Sequence, residues 1–375
     1  METTDQQFKT DLAEIAVEKY KAGTLSRRGF LTALGALGLV PMLGNRAHAQ
    51  ASEIVICNWG GAASEILADV LGTAFTAETG IPLRVDGAGP SPGKVRAMVE
   101  SGAVVWDVLD SGAGSAIVMN KAGIIQPIDY DIVDATKVLE GTALPFAVGN
   151  YLFGYGLATN PTMLPNGVPQ NWADVWDVEQ FPGMRTFRKS VRGQLESAVL
   201  ALGIPREEVY SFLDEEGIKA AIAKFRELRD NIIVWGSGSE SQNLFLQGEV
   251  TMGKIWSTRA FLLKDQMEPG TFQLSFEGGV LQPGMWAVPV NNPAGTKTAM
   301  NFIAMTQDAN LQVEWFKAIG NAPINPEAAT MVPSELAAWN PADAANVARM
   351  VIYSDEWYGK NQVHAEELYI DALIG

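Results

Sequence analysis

Residues 53–59 read Glu-Ile-Val-Ile-Cys-Asn-Trp and run into Gly60-Gly61. A short apolar run closed by paired glycines suits a buried strand that ends in a tight turn. Downstream, Ile66, Val70, Ala74 and Phe75 recur at helical spacing up to Gly80, and Ile81, Leu83 and Val85 alternate as a second strand. Lys94 to Ser101 reads as a helix, Trp106 to Leu109 as a strand, and Ser115 to Ala122 as a further helix stopped by Gly123. This order predicts βαβ units on a parallel sheet. The pattern starts again beyond residue 160. Asn171 is placed to cap a short helix from Trp172 to Trp176, and Ile218, Ala221, Ile222, Phe225 and Leu228 mark one helix face. Ile232 to Trp235 and Val250 to Trp256 read as strands separated by a short helix, Ser241 to Gln247, and from about residue 297 the chain reads mostly helical. The predicted class is α/β with two lobes, each a mixed or parallel sheet flanked by helices. A ligand would sit in the cleft between the lobes, at the carboxyl ends of the strands.

Composition narrows the function. Of 375 residues, 47% are hydrophobic and 19% charged, which excludes a disordered chain. A formal charge of -16 argues against binding nucleic acid or an anionic membrane through a basic surface. One cysteine (Cys57) and two histidines (His48, His364) leave too few parts for a disulfide framework, a zinc site or a Cys/His catalytic pair. No metal and no cofactor is expected, and the chain is not expected to be an enzyme. Cys57 falls inside the first strand and reads as a buried apolar residue.

The amino-terminal stretch reads as an address. Arg27-Arg28 precedes Gly29-Phe30-Leu31-Thr32, a weakly apolar run follows from Ala33 to Gly44, and Ala47-His48-Ala49 ends it. A twin-arginine pair, a short apolar segment and an Ala-x-Ala end predict a Tat-type signal over residues 1–49, with cleavage after Ala49. The apolar run is too short and too rich in glycine to span a bilayer. The mature product is therefore expected in the periplasm, without direct membrane insertion.

Several stretches resemble one family in order along the chain. Val55-Ile56-Cys57-Asn58-Trp59 is similar to an opening strand ending Asn-Trp, Thr79-Gly80-Ile81 to a step into the second strand, and Trp106-Asp107-Val108 to a Tyr-Asp-Val strand. Gly123-Ile124-Ile125-Gln126-Pro127-Ile128-Asp129, Trp172-Ala173-Asp174-Val175-Trp176-Asp177 and Gln247-Gly248-Glu249-Val250 follow in the same order. Together they resemble the periplasmic solute-binding proteins of ABC importers, in the branch typified by spermidine/putrescine-binding proteins. The resemblance implies a two-lobe clamp that closes on a small-molecule solute and presents it to the membrane subunits of an ABC permease, acting as a monomer. Residues 50–156 with about 256–300 would form one lobe, and 157–255 with about 301–375 the other.

The same resemblance points to ligand residues. Trp59 and Gly60 follow the first strand, Ser111 follows the third, and Trp235, Trp256 and Trp286 fall at strand ends or in loops expected to face the cleft. Departures from the polyamine branch carry information about ligand charge. Where that branch places acidic contacts, the chain has Arg185-Thr186-Phe187-Arg188-Lys189-Ser190-Val191-Arg192, and Thr258-Arg259 stands near the position of an amine-binding Asp. Arg188, Lys189 and Arg192 have a plainer reading as solvated loop residues, whereas Arg259 lies beside Trp256 and could hold an anion bidentately. The sequence therefore favours an anionic or zwitterionic solute, such as an amino acid, an opine or a small organic acid. The alternative is a polyamine, for which Asp110, Glu240 and Glu277 would be the acids to test. A remote alternative, a Ser-x-x-Lys acyl enzyme at Ser91 to Lys94, lacks its Lys-Thr-Gly partner, because Lys297-Thr298 is followed by Ala299.

Overall fold

Ile54, Val55, Ile56 and Cys57 are all buried, so the first strand is covered on both faces. Such a strand carries no polar alternation, which is why an unbroken apolar run encodes it. The computed structural model describes residues 51–374. The predicted export signal, with Arg27, Arg28, Ala47 and Ala49, lies outside them.

Strand β1 (Ile54–Cys57) pairs in parallel with β2 (Leu83–Asp86) and β3 (Val108–Gly112). Helices α1 (Ala62–Leu67), α2 (Pro92–Ser101) and α3 (Ala113–Lys121) make the intervening connections and the one beyond β3. Ser91 caps α2, its Oγ accepting from the Lys94 amide at 3.3 Å, while Lys94 Nζ donates to the Ala88 and Gly89 carbonyls. Both residues of the Ser-x-x-Lys motif are thus engaged in local loop and cap bonds.

After the two-residue strands β4 (Ile125–Gln126) and β5 (Ala143–Leu144), the chain enters the 13-residue strand β6 (Ala147–Thr159). Helix α4 (Trp172–Trp176) begins at Asn171, which forms a reciprocal capping box with Asp174. Next come β7 (Arg185–Arg188), α5 (Leu195–Ala201), α6 (Glu215–Glu227), β8 (Ile232–Trp235) and α7 (Gly238–Leu246). They lead to β9 (Met252–Trp256), α8 (Ser257–Gln266) and the 17-residue strand β10 (Gln273–Pro289). Helices α9 (Thr296–Met305) and α10 (Ala309–Ile319), the short strands β11 (Ala322–Pro323) and β12 (Val351–Ile352), and α11 (Asp355–Ile374) complete the principal elements.

The strands form one continuous sheet in the order β2-β1-β3-β10-β6-β9-β7-β8. Its outer parts contain the parallel pairs of β1 with β2 and β3 and of β7 with β8 and β9; its centre is antiparallel, with β10 against β3 and β6, and β6 against β9. The sequence reading anticipated a separate sheet for each lobe. The long strands β6 and β10 join them instead, and β10 absorbs register shifts between Ser275 and Val280 and between Pro283 and Met285. Such irregularities bend a strand and sharpen its twist.

Packing also redraws the lobe assignment. Residues 301–319 were placed with the second lobe, yet Phe302, Ile303, Trp315, Phe316 and Ile319 share one core with Ile54, Ile56, Leu67 and Trp286. Residues 256–272 were placed with the first, yet Ala260, Leu263 and Phe272 pack with Phe245, Val250 and Ile255. A helix's apolar face identifies that it is buried, not which sheet buries it. The last helix, α11, packs with residues of the 157–255 stretch through Trp357, Tyr358 and Tyr369, and it also touches α3.

Lys254 is an anomaly inside this core. It is fully buried on β9 and its Nζ has no hydrogen-bond partner. The ammonium lies 5.0 Å from the Trp172 ring centroid and 5.8 Å from that of Tyr155. Nearby Glu196 is equally buried and accepts from Tyr210 Oη at 2.8 Å and Tyr358 Oη at 3.0 Å. Burial pushes the Lys254 ammonium down to about 8, against the pull of Glu196. Below that pH both the folded and the unfolded chain carry the proton, and the folded state bears the desolvation cost in full. Between about 8 and an unfolded value near ~10.4, the unfolded state binds more protons, so stability rises with pH. Denaturant unfolding at pH 7 and pH 10 should therefore show wild type gaining on Lys254→Met by up to about 3 kcal/mol. A difference that does not change with pH would show that the lysine does not titrate in this window.

Candidate functional site

The turn after β1, the end of β3, the middle of β6, the end of β7 and the β9–α8 junction converge on a cavity of about 70 Å³. Its apolar wall is built around Trp256, whose ring meets Trp59 at 5.9 Å, Phe153 at 6.4 Å and Tyr155 at 6.3 Å between centroids. Aromatic edges and faces packed at these distances make a rigid surface for methylenes and cations. Ser257 locks the junction from behind, its Oγ accepting from the Gly154 amide of β6 at 3.0 Å.

Three arginines line the cavity. Arg259 stands in the first turn of α8 and is almost completely buried. Its Nη2 donates to the Gly60 carbonyl at 3.0 Å, while Nε and Nη1 have no partner. Gly60 holds a positive φ of 78° in a turn so close to Gly87 that a side chain would strike the Gly87 carbonyl at 2.8 Å. Gly238, at the start of α7, leaves room on the other side: a Cβ there would collide with the guanidinium of Arg259. Burial pushes Arg259 down to about 10, with Tyr151 and Asp110 pulling the other way, so it remains a cation at neutral pH. Arg188, at the end of β7, donates from Nη1 to Tyr155 Oη at 3.0 Å and lies 4.9 Å over the Trp256 ring, but its buried Nε is unpartnered. Arg192 donates to Ser115 Oγ at 2.7 Å.

The acids behave differently. Asp110 is fully buried and accepts from Asn58 Nδ2 at 2.7 Å, Asn150 Nδ2 at 3.0 Å and the Tyr151 hydroxyl at 2.9 and 3.0 Å. Burial pushes its carboxyl up to about 7 against the effect of those donors and of Arg259. Both oxygens are occupied by the protein itself. Glu240 accepts from the Gly236 and Ser237 amides as the capping-box partner of α7, and neither it nor Glu277 reaches the cavity wall. Asp355, the first residue of α11, does line the cavity.

Of the residues expected at the ligand, Trp59, Ser111, Arg188, Trp256 and Arg259 line this cavity, and Gly60 supplies the carbonyl that holds Arg259. Trp235 and Trp286 do not line it. Trp235 is fully buried behind Trp256, at 5.1 Å between centroids, and donates to the Lys254 carbonyl. Trp286 is fully buried inside β10, three residues before its end, stacked on Trp315 and bonded to Thr306 Oγ1 at 3.0 Å. Because β10 runs on through the sheet, position 286 is a core position rather than a loop facing the cleft. Sequence reasoning missed Arg192, Tyr151, Phe153 and Asp355 at the wall. Arg192 was visible only as one more cation in a basic run, and nothing in the C-terminal stretch marks Asp355.

The profile of the bacterial extracellular solute-binding protein family matches residues 71–345. The chain belongs to this family. It is similar to the Gamma-aminobutyric acid-binding protein of Pseudomonas aeruginosa, with 27% identity over 86% of this chain and 90% of that one. It is also similar to the Spermidine/putrescine-binding periplasmic protein 1 of Haemophilus influenzae, at 26% identity over 78% of this chain and 81% of the other. Among solved structures, the binding protein MotA from A. tumefaciens B6 in complex with glucopine superposes with a TM-score of 0.80 at 29% identity, covering 86% of this chain and 100% of that one. This chain is thus a solute-binding protein of the two-lobe type, and its family is extracellular. Among the described residues no helix is long and apolar enough to cross a membrane.

The tryptophans separate wall from core experimentally. If the cavity is where solute binds, Trp59→Ala should lose at least about tenfold in solute affinity, or ~1.4 kcal/mol, with little change in melting temperature. Trp286→Phe should do the opposite, keeping affinity while costing about 1–3 kcal/mol of stability. Calorimetric titration and thermal unfolding of both variants check this, and equal affinity losses would refute the division.

Proposed function

We propose that the cavity captures one small zwitterionic solute, an amino acid of about γ-aminobutyrate size, and that the protein hands it to an ABC permease. The observation that carries this reading is the set of buried guanidinium donors without acceptors, Arg259 Nε and Nη1 and Arg188 Nε, on a cavity wall. A buried unmet donor costs about 1–3 kcal/mol, more when charged, and a carboxylate meets two of them at once. The relative that binds γ-aminobutyrate supports the same class. The polyamine reading is short of acids, since a polyamine presents at least two ammonium groups and the wall offers them only Asp355, with Asp110 saturated and Glu240 and Glu277 off the wall.

The carboxylate would bridge Arg188 of β7 and Arg259 of α8, opposite Trp59 and Ser111 on the β1 and β3 ends. Contacts made on both sides of the cleft favour the closed state over the open one, which is how a ligand shifts such an equilibrium. No chemical step is assigned to the protein, so solute recovered after saturation should be unchanged.

Arg259→Ala leaves the carboxylate with one cation fewer in a water-poor site. Removing one member of such a pair costs about 2–5 kcal/mol, so γ-aminobutyrate should bind at least ~30-fold more weakly. Titration of wild type and variant with γ-aminobutyrate, putrescine and spermidine tests the reading. Tight putrescine binding by wild type that survives the substitution would overturn it.

Export by the twin-arginine route is part of the same proposal. Replacing Arg27 and Arg28 together by Lys should leave the precursor uncleaved in the cytoplasm, as judged by fractionation. Normal periplasmic maturation would exclude that route.

A further inference from the structure

The cavity wall carries one acid that the protein has not satisfied. Asp355 Oδ1 is buried and has no hydrogen-bond partner. Two groups stand close to it. Arg192 attracts its carboxylate, but the Arg192 guanidinium is bonded to Ser115 Oγ and makes no hydrogen bond to the acid. Burial pushes the Asp355 carboxyl up to about 6 against the pull of Arg192 and of the Gly114 amide in the first turn of α3, where a Cβ at Gly114 would sit 3.6 Å from Oδ1. Neither makes a well-formed hydrogen bond to Oδ1. Among the carboxylates near the cavity this distinguishes Asp355 sharply from Asp110, whose oxygens already receive Asn58, Asn150 and Tyr151.

The wall therefore presents two complementary deficits. Guanidinium N–H groups of Arg259 and Arg188 lack acceptors, and a carboxylate oxygen of Asp355 lacks a donor. One solute with a carboxylate and an ammonium fills both, whereas a simple carboxylate fills only the first. We infer that Asp355 receives the ammonium group of the solute and is the residue by which the site demands an amine. The assignment rests on the proposal that Arg259 and Arg188 take the carboxylate. It makes Asp355 a specificity-determining residue delivered by the C-terminal helix α11, which packs on α6 and on α3. Its neighbour Tyr353 also lines the cavity and is held by stacking on Tyr358, 4.5 Å between centroids, so the segment that carries Asp355 is anchored at a core residue.

Matched pairs of solutes test the inference: β-alanine with propionate, γ-aminobutyrate with butyrate, and δ-aminovalerate with valerate. Calorimetric titration of wild type should show at least ~30-fold preference for the amine in the pair that fits best. This ratio needs no variant. Asp355→Asn, checked for folding by its melting curve, should lose the preference by weakening the amino acid at least ~30-fold while leaving the deaminated acid unchanged or tighter. Amino acid binding that Asp355→Asn leaves intact, but that Arg259→Ala abolishes, would overturn the role of Asp355 and spare the carboxylate reading. Equal wild-type affinity within each pair would have the same consequence. Failure of wild type to bind any of the three amino acids would overturn both.

Discussion

The pairing of β6 with β10 is the constraint on which the rest of the molecule depends. It runs from Gln273 opposite Thr159 to Trp286 opposite Val148, interrupted by two register shifts. β10 carries β3 on its other edge and β6 carries β9, so the two outer groups of parallel strands meet only through these strands. Their side chains reach into the cavity at Tyr151, Phe153 and Gln282. An antiparallel ladder with irregularities can bend without breaking, whereas two packed cores cannot deform continuously. Movement of the two sides of the cavity relative to each other would therefore fall on these strands and leave the cores intact.

Electrostatics in and beneath the cavity follows one rule, that a buried charge must be met. Asp110 is met by three side-chain donors from β1's end and from β6, and Arg259 also favours its charged form. Arg259 is met only in part, by Gly60, and Asp355 is not met at one oxygen. The saturated acid favours the charged form of Arg259, while the unmet groups remain on the wall. Lys254 is a different case. It lies in the core under Tyr155 and Trp172, and aromatic faces compensate only part of its desolvation.

Close backbone approach supports the same geometry. Gly60 presses on Gly87, and Gly238 lies against the Arg259 guanidinium and the Trp256 ring, so a Cβ would displace the Gly87 backbone in the first case and atoms of the cavity wall in the second. Small residues here are a packing requirement of the site rather than loop flexibility. Trp256 is the common neighbour of Trp59, Phe153, Tyr155 and Trp235, so its ring links the exposed wall to the buried core behind it.

By itself the sequence determined what lies within one element or one turn. The doubly buried β1, the Asn171 capping box, the Ser91 cap and the strand–helix order were all legible, because period and cap chemistry act over a few residues. The ordered motifs were enough to indicate the family. Tertiary structure alone decided which residues meet. It sent Trp286 and Trp235 into cores, turned Arg192 toward the cavity, saturated Asp110, and brought Asp355 to a wall that it shares with residues as far back as Asn58. Periodicity reports which side of an element is buried, but a cavity is assembled from the ends of elements distant in sequence. Whether a charge is spent within the protein or left for a ligand depends on neighbours that only the fold supplies.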